Sequence, residues 1–167
     1  MEYYLIRCIY RREEFFSVWY TDDIDGLCSI GKKILSFPGM DSARQYSSSE
    51  KISLNTNDVP AYDFDKLKNW LDSRSNEVDC KQMLDFWNIF TDAAATTGSA
   101  YAGDRKTKNT NLIYDKLFFG CNWAFFKQDH DDDYVPVWDK KQIRSMKSIL
   151  KNGLNLFVEN LTAYAAA

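Results

Sequence analysis

Apolar residues first cluster in two short runs, then fall at helical steps once Pro60 is passed. Residues 2–10, EYYLIRCIY, and 15–20, FFSVWY, are dense in aromatic and β-branched side chains, and the polar break RREE separates them. That arrangement predicts an N-terminal β-hairpin. The alternation is imperfect, so a helix over 2–19 is the other reading. In DIDGLCSIGKKIL, Ile24, Leu27, Cys28 and Ile34 lie near a helical stripe that Gly26 and Gly31 weaken. Residues 36–62 carry Pro38-Gly39, a serine run and Pro60, and predict a long irregular segment.

Beyond Pro60 the spacing turns helical. Asp63 is placed to cap a helix that carries Phe64, Leu67, Trp70 and Leu71 inward. Asp79, with Gln82 three residues on, resembles a capping box and opens a helix with Met83, Phe86, Trp87, Phe90 and Ala94 on one face. TTGSAYAGDRKTKNT (96–110) reads as a mobile connection. A third helix is expected from Asn111 through LIYDKLFFGCNWAFF, which is apolar on nearly every side. Such a segment is either central to the core or partly covered by a partner. Asp139 is the expected N-cap of the last helix, whose Ile143, Met146, Leu150, Leu154, Phe157 and Leu161 step by three and four. Lys140, Lys141, Arg144, Lys147 and Lys151 fall on its opposite, solvated face. The sum predicts a helix-dominated α+β domain over 1–164, with a small N-terminal β-hairpin, about four to five helices and a long amphipathic C-terminal helix. Residues 165–167 read as an appended tail.

Charge narrows the function classes. The 167 residues carry a net charge of only −3, which argues against nucleic acid as the main ligand. The acids are 18 Asp against 6 Glu, a bias that puts negative charge on turns and helix starts. Cys8, Cys28, Cys80 and Cys121 form no CxxC pair and read as reduced thiols of a cytoplasmic protein. An ordinary signal peptide is not expected from MEYYLIRCIYRRE, and the longest apolar run, LFFGCNWAFF (117–126), is half the ~20 residues a membrane span needs.

Familiar catalytic sites fail on inventory. There is one histidine, His130, so HExxH zinc sites and two-histidine ribonuclease chemistry are excluded, and no GxSxG, GxGxxG or GxxxxGK[ST] occurs. KQDHDDDY (127–134) concentrates four aspartates around that histidine. Asp129, Asp131 and Asp133 match the first three ligands of an EF-hand loop, but Tyr134 stands where the loop needs Gly and Lys140 where it needs Glu. A looser divalent site, or a metal-dependent hydrolase or nuclease built on these aspartates, is the alternative reading. No catalytic residue, metal or cofactor is assigned. The favoured reading is a surface: Asp129, Asp131, Asp132 and Asp133 would repel one another if buried, and Tyr134 and Trp138 follow to anchor a partner. Asp22, Asp23 and Asp25 form a second acidic edge after the hairpin.

YDKLFFGCNWAFF, a polar stretch, then YVPVWDKKQIRSMKSILKNGL resembles small bacterial immunity proteins, the cytoplasmic antidotes encoded beside polymorphic or contact-dependent growth-inhibition toxins. The resemblance covers about residues 112–160 and rests on DKLF-x-G-x-N and on the Pro-x-Trp before a long helix. It implies a non-enzymatic inhibitor that binds one toxin tightly, often over its active site. Many such targets are nucleases with basic clefts, to which an acidic patch is complementary. No direct contact with nucleic acid or membrane is implied. A helical adaptor unrelated to toxins is the remaining alternative.

Overall fold

The computed structural model describes residues 1–127 and 132–165. Strands β1 (Glu2–Tyr10) and β2 (Glu13–Thr21) form the expected hairpin, in register from Glu2↔Thr21 to Tyr10↔Glu13, and the helical reading of 2–19 falls. Its two-residue turn sets Arg11 and Arg12 at φ +56° and +64°. A tight hairpin requires this left-handed pair and usually fills it with Asn-Gly. Each such conformation costs a side-chain-bearing residue roughly 1–2 kcal/mol. The Asp65 carboxylate offsets it by accepting both turn amides at 2.8 Å. The alternation was imperfect because both faces of the hairpin are covered. Leu5, Phe16 and Val18 are buried on one side and Ile6, Cys8 and Ser17 on the other. Buried Ser17 is satisfied by the Leu35 carbonyl at 2.8 Å.

Short strands between Gly26 and Ser36 replace the expected helical stripe. β3 (Gly26–Leu27) pairs with β2, and β4 (Ser29–Ile30) turns through Gly31, at φ +60°, into β5 (Lys33–Ser36). A Cβ on Gly26 would stand 2.5 Å from the Tyr20 hydroxyl, so glycine permits the close strand approach there. The predicted irregular segment holds α1 (Met40–Ser49). That helix buries only Ala43 and Ser47, so it carries no hydrophobic stripe to betray it. β6 (Leu54–Asn55) and β7 (Ala61–Asp63) then lie parallel to β1 along its free edge.

The remaining helices cover the other face. α2 (Phe64–Asp72), α3 (Cys80–Thr97), α4 (Lys108–Gly120) and α5 (Lys140–Glu159) are capped by Asp63, Asp79, Thr107 and Asp139. Asp139 and Gln142 close a full capping box. β8 (Leu161–Ala163) returns parallel to β5. Five of the six predicted α5 stripe residues are buried; the sixth, Leu161, lies past the helix in β8 and is half-buried. Phe64, Phe86, Phe90 and Phe157 stack at the centre with ring centroids 5.0 to 6.3 Å apart. The fold is therefore helix-dominated α+β, as the patterning implied.

Two further expectations change. The 96–110 connection is packed, with Tyr101 and Gly103 buried, the Ala102 amide on Asn152 at 2.8 Å and Thr91 donating to Asp104 at 2.7 Å. α4 starts three residues earlier than expected and stops at Gly120. All four cysteines are free thiols.

Candidate protein-interaction surface

The chain leaves α4 through a clamp. Gly120 lies so close to α3 that a Cβ would stand 2.5 Å from Cys80 Sγ and 2.9 Å from Pro136. Asn122 then takes φ +51°, which ends the helix. Its side-chain NH₂ donates to the Gly120 and Tyr134 carbonyls at 3.1 and 3.0 Å, and its oxygen accepts the Tyr134 amide at 2.7 Å. One asparagine thus supplies both hydrogen bonds that a paired strand would give Tyr134. A second tie follows: Lys116 Nζ donates to the Val137 carbonyl at 2.6 Å and to Gln142 at 2.9 Å, and sits 5.3 Å from the Trp138 ring centroid. Both ends of the excursion are anchored to the helical body.

What the clamp presents is apolar. Phe125 is 77% exposed, Phe126 63%, Phe119 59% and Tyr134 44%. Val135 and Val137, just before α5, are at least as open. The rings support each other, with Phe125–Phe126 centroids at 4.5 Å, Phe118–Phe126 at 5.6 Å and Trp123–Phe125 at 6.1 Å. Phe118, Phe119, Trp123, Phe126 and Tyr134 line a groove of about 870 Å³. Clustered exposed rings of this kind mark interaction surfaces, because soluble proteins otherwise hide them. Asp132 and Asp133 supply a charged rim, and Lys127 pairs with Asp133.

The sequence-predicted residues divide among several places. Asp132, Asp133 and Tyr134 are exposed on this rim. Asp129, Asp131 and His130 lie outside the described residues. Trp138 is half-buried: it packs against the main core under Lys116, at the base of the surface. Asp22 and Asp23 are exposed elsewhere, and half-buried Asp25 accepts the Asp22 amide at 3.2 Å. Phe119, Phe125, Phe126, Val135 and Val137 went unassigned. For the three phenylalanines the signal was the segment apolar on nearly every side, which suited burial and partner contact equally. Among the described residues, no three His, Cys, Asp or Glu side chains are grouped to hold a metal, and no helix is long and apolar enough to cross a membrane.

No protein-family model matches the sequence, and no curated protein matches it. The fold is similar to the crystal structure of the SatS C-terminal domain in complex with bromine, at a TM-score of 0.53. That match covers 97% of this chain and 94% of the other at 9% identity, so the likeness is one of fold alone.

Proposed function

We propose that this chain is a non-enzymatic, cytoplasmic immunity protein that neutralises a cognate bacterial toxin, a nuclease, by covering its active site. The observation that carries the reading is the clamped aromatic surface with its acidic rim. The DKLF-x-G-x-N residues Lys116, Gly120 and Asn122 and the Pro-x-Trp residues Pro136 and Trp138, on which the resemblance to immunity proteins rests, are the parts that build this clamp. Exposed aromatics beside carboxylates suit a partner with a basic cleft. The charges steer the encounter, and the rings hold the complex once water is excluded.

Co-expression with the product of the gene directly upstream should yield a one-to-one complex in which the toxin is inactive. Phe125→Ala with Phe126→Ala should raise the dissociation rate, each ring contributing about 2 kcal/mol if it acts as a hot spot, or roughly thirtyfold in Kd. Asp132→Asn with Asp133→Asn should slow association and flatten its salt dependence. Failure of the pair to associate rejects the reading. Turnover of RNA or DNA by the purified chain with Mg²⁺, Mn²⁺ or Zn²⁺, lost in Asp133→Asn, would replace it with the hydrolase alternative.

A further inference from the structure

A second concavity opens beside the hairpin, about 340 Å³ in volume, between β1, β2, β6, β7 and α3. Its aromatic wall is Tyr4, Trp19 and Tyr62, with the Tyr4 and Trp19 ring centroids 5.5 Å apart and their planes at 41°. Asp58, Asp85 and Asp92 are the charged residues of the lining, and no Lys, Arg or His contributes to it. These carboxylates are not equivalent. Asp85 is paired with Lys81 at 2.5 Å, and Asp58 is exposed. Asp92 is half-buried, and the one hydrogen bond to its carboxylate among the described residues is from Trp19 Nε1 to Oδ2, at 2.8 Å. The charges that act on it, Asp25 and Asp104, are negative too. Burial, opposed by the Trp19 bond and reinforced by those neighbours, pushes its carboxyl up to about 6. An ion in this position gains most from a cation brought in from outside.

We infer that this hollow receives an arginine side chain of the toxin. Aromatic faces attract a cation within about 6 Å, and a planar guanidinium stacks on them while offering paired N–H donors to a carboxylate. A lysine ammonium gives up both the stacking and the fork. The inference rests on the proposed function for its partner, and the surface supports the link. Lys81, which pairs with Asp85 at the hollow, also lies 5.5 Å from the ring centroid of Trp123 in the aromatic groove. Lys81, on α3, thus links the two concavities. The charge of Asp25, from the acidic edge noted in the sequence, acts on Asp92.

The test separates the hollow from the toxin. Isotope-labelled full chain is titrated with N-acetyl-arginine-amide, N-acetyl-lysine-amide and the neutral isostere N-acetyl-citrulline-amide, following the Trp19 indole N–H and the backbone amides of Tyr4 and Tyr62. The arginine probe should shift these signals saturably, the lysine probe several-fold more weakly, and the citrulline probe not at all. Asp92→Asn should weaken the arginine probe tenfold or more, while the charge-matched surface change Asp41→Asn should not. Equal binding of citrulline or lysine, or an unweakened Asp92→Asn, overturns the inference. Asp92→Asn should likewise weaken the toxin complex at least fivefold. Wild-type toxin affinity in that variant sinks the inference and leaves the immunity reading standing. Probe binding with no complex in co-expression rejects the immunity reading, and with it the toxin as source of the arginine.

Discussion

Asp92→Asn should make this protein more stable at neutral pH. The folded carboxyl is raised to about 6, chiefly because burial disfavours its charged form. In the unfolded chain it returns to the ordinary value of about 3.9. The folded state therefore binds the proton more tightly than the unfolded state. Above about pH 6 the ionised carboxylate costs stability in full, and that cost is relieved as pH falls from 6 toward 4. Two pH units at about 1.36 kcal/mol each bound the cost at about 3 kcal/mol, and partial solvent access reduces it to on the order of 1–2 kcal/mol. Asparagine keeps an oxygen for the Trp19 indole and carries no charge. Urea denaturation followed by tryptophan fluorescence at pH 7.5, 6 and 4 should show the variant ahead at pH 7.5 and level with wild type near pH 4. At this chain length the gain corresponds to roughly 2–8 °C in Tm. An equal gain at every pH, or a loss at pH 7.5, refutes the argument.

Three further substitutions test packing. Gly153→Ala should destabilise by about 1–3 kcal/mol, because the new methyl would stand 2.3 Å from the Phe90 ring where α5 crosses α3; an unchanged Tm would mean that this contact yields freely. Asp65→Ala removes the shared acceptor of the Arg11 and Arg12 amides and should cost about 1–3 kcal/mol in urea denaturation, with Asp65→Asn recovering part of it. Tyr101→Phe should leave stability unchanged or raise it by up to about 1 kcal/mol, since the buried hydroxyl has no hydrogen-bond partner among the described residues; a clear loss in Tm would mean that the hydroxyl is satisfied.

The elements legible in the sequence were those whose stabilising features are local. Asp63, Asp79 and Asp139 announce their helices because the cap lies within three residues of the amide it serves. The α3 and α5 stripes were readable because each helix faces one core. Illegible elements depend on distant partners. α1 starts at Gly39 with no side-chain cap and buries almost nothing apolar of its own. β5 finds its parallel neighbour in β8, more than a hundred residues away. The 96–110 stretch read as mobile, yet its Gly103 packs so closely on Tyr101 and Trp87 that they leave no room for a side chain. At the candidate surface, composition was readable and exposure was not. Spacing cannot separate a ring destined for the core from one left outside it. The hollow beside the hairpin had no signal at all, because five elements contribute to its walls.

The clamp at Asn122 and Lys116 divides the labour between persistence and novelty. Phe125 and Phe126 project past the anchor and take little part in the core, while Gly120, Asn122, Lys116 and Trp138 are bound to it. Residues beyond the anchor are thus free to drift under pressure from a changing adversary without loosening the domain that displays them. Lineages descended from this chain should diverge fastest in that stretch and slowest at the four positions that fasten it.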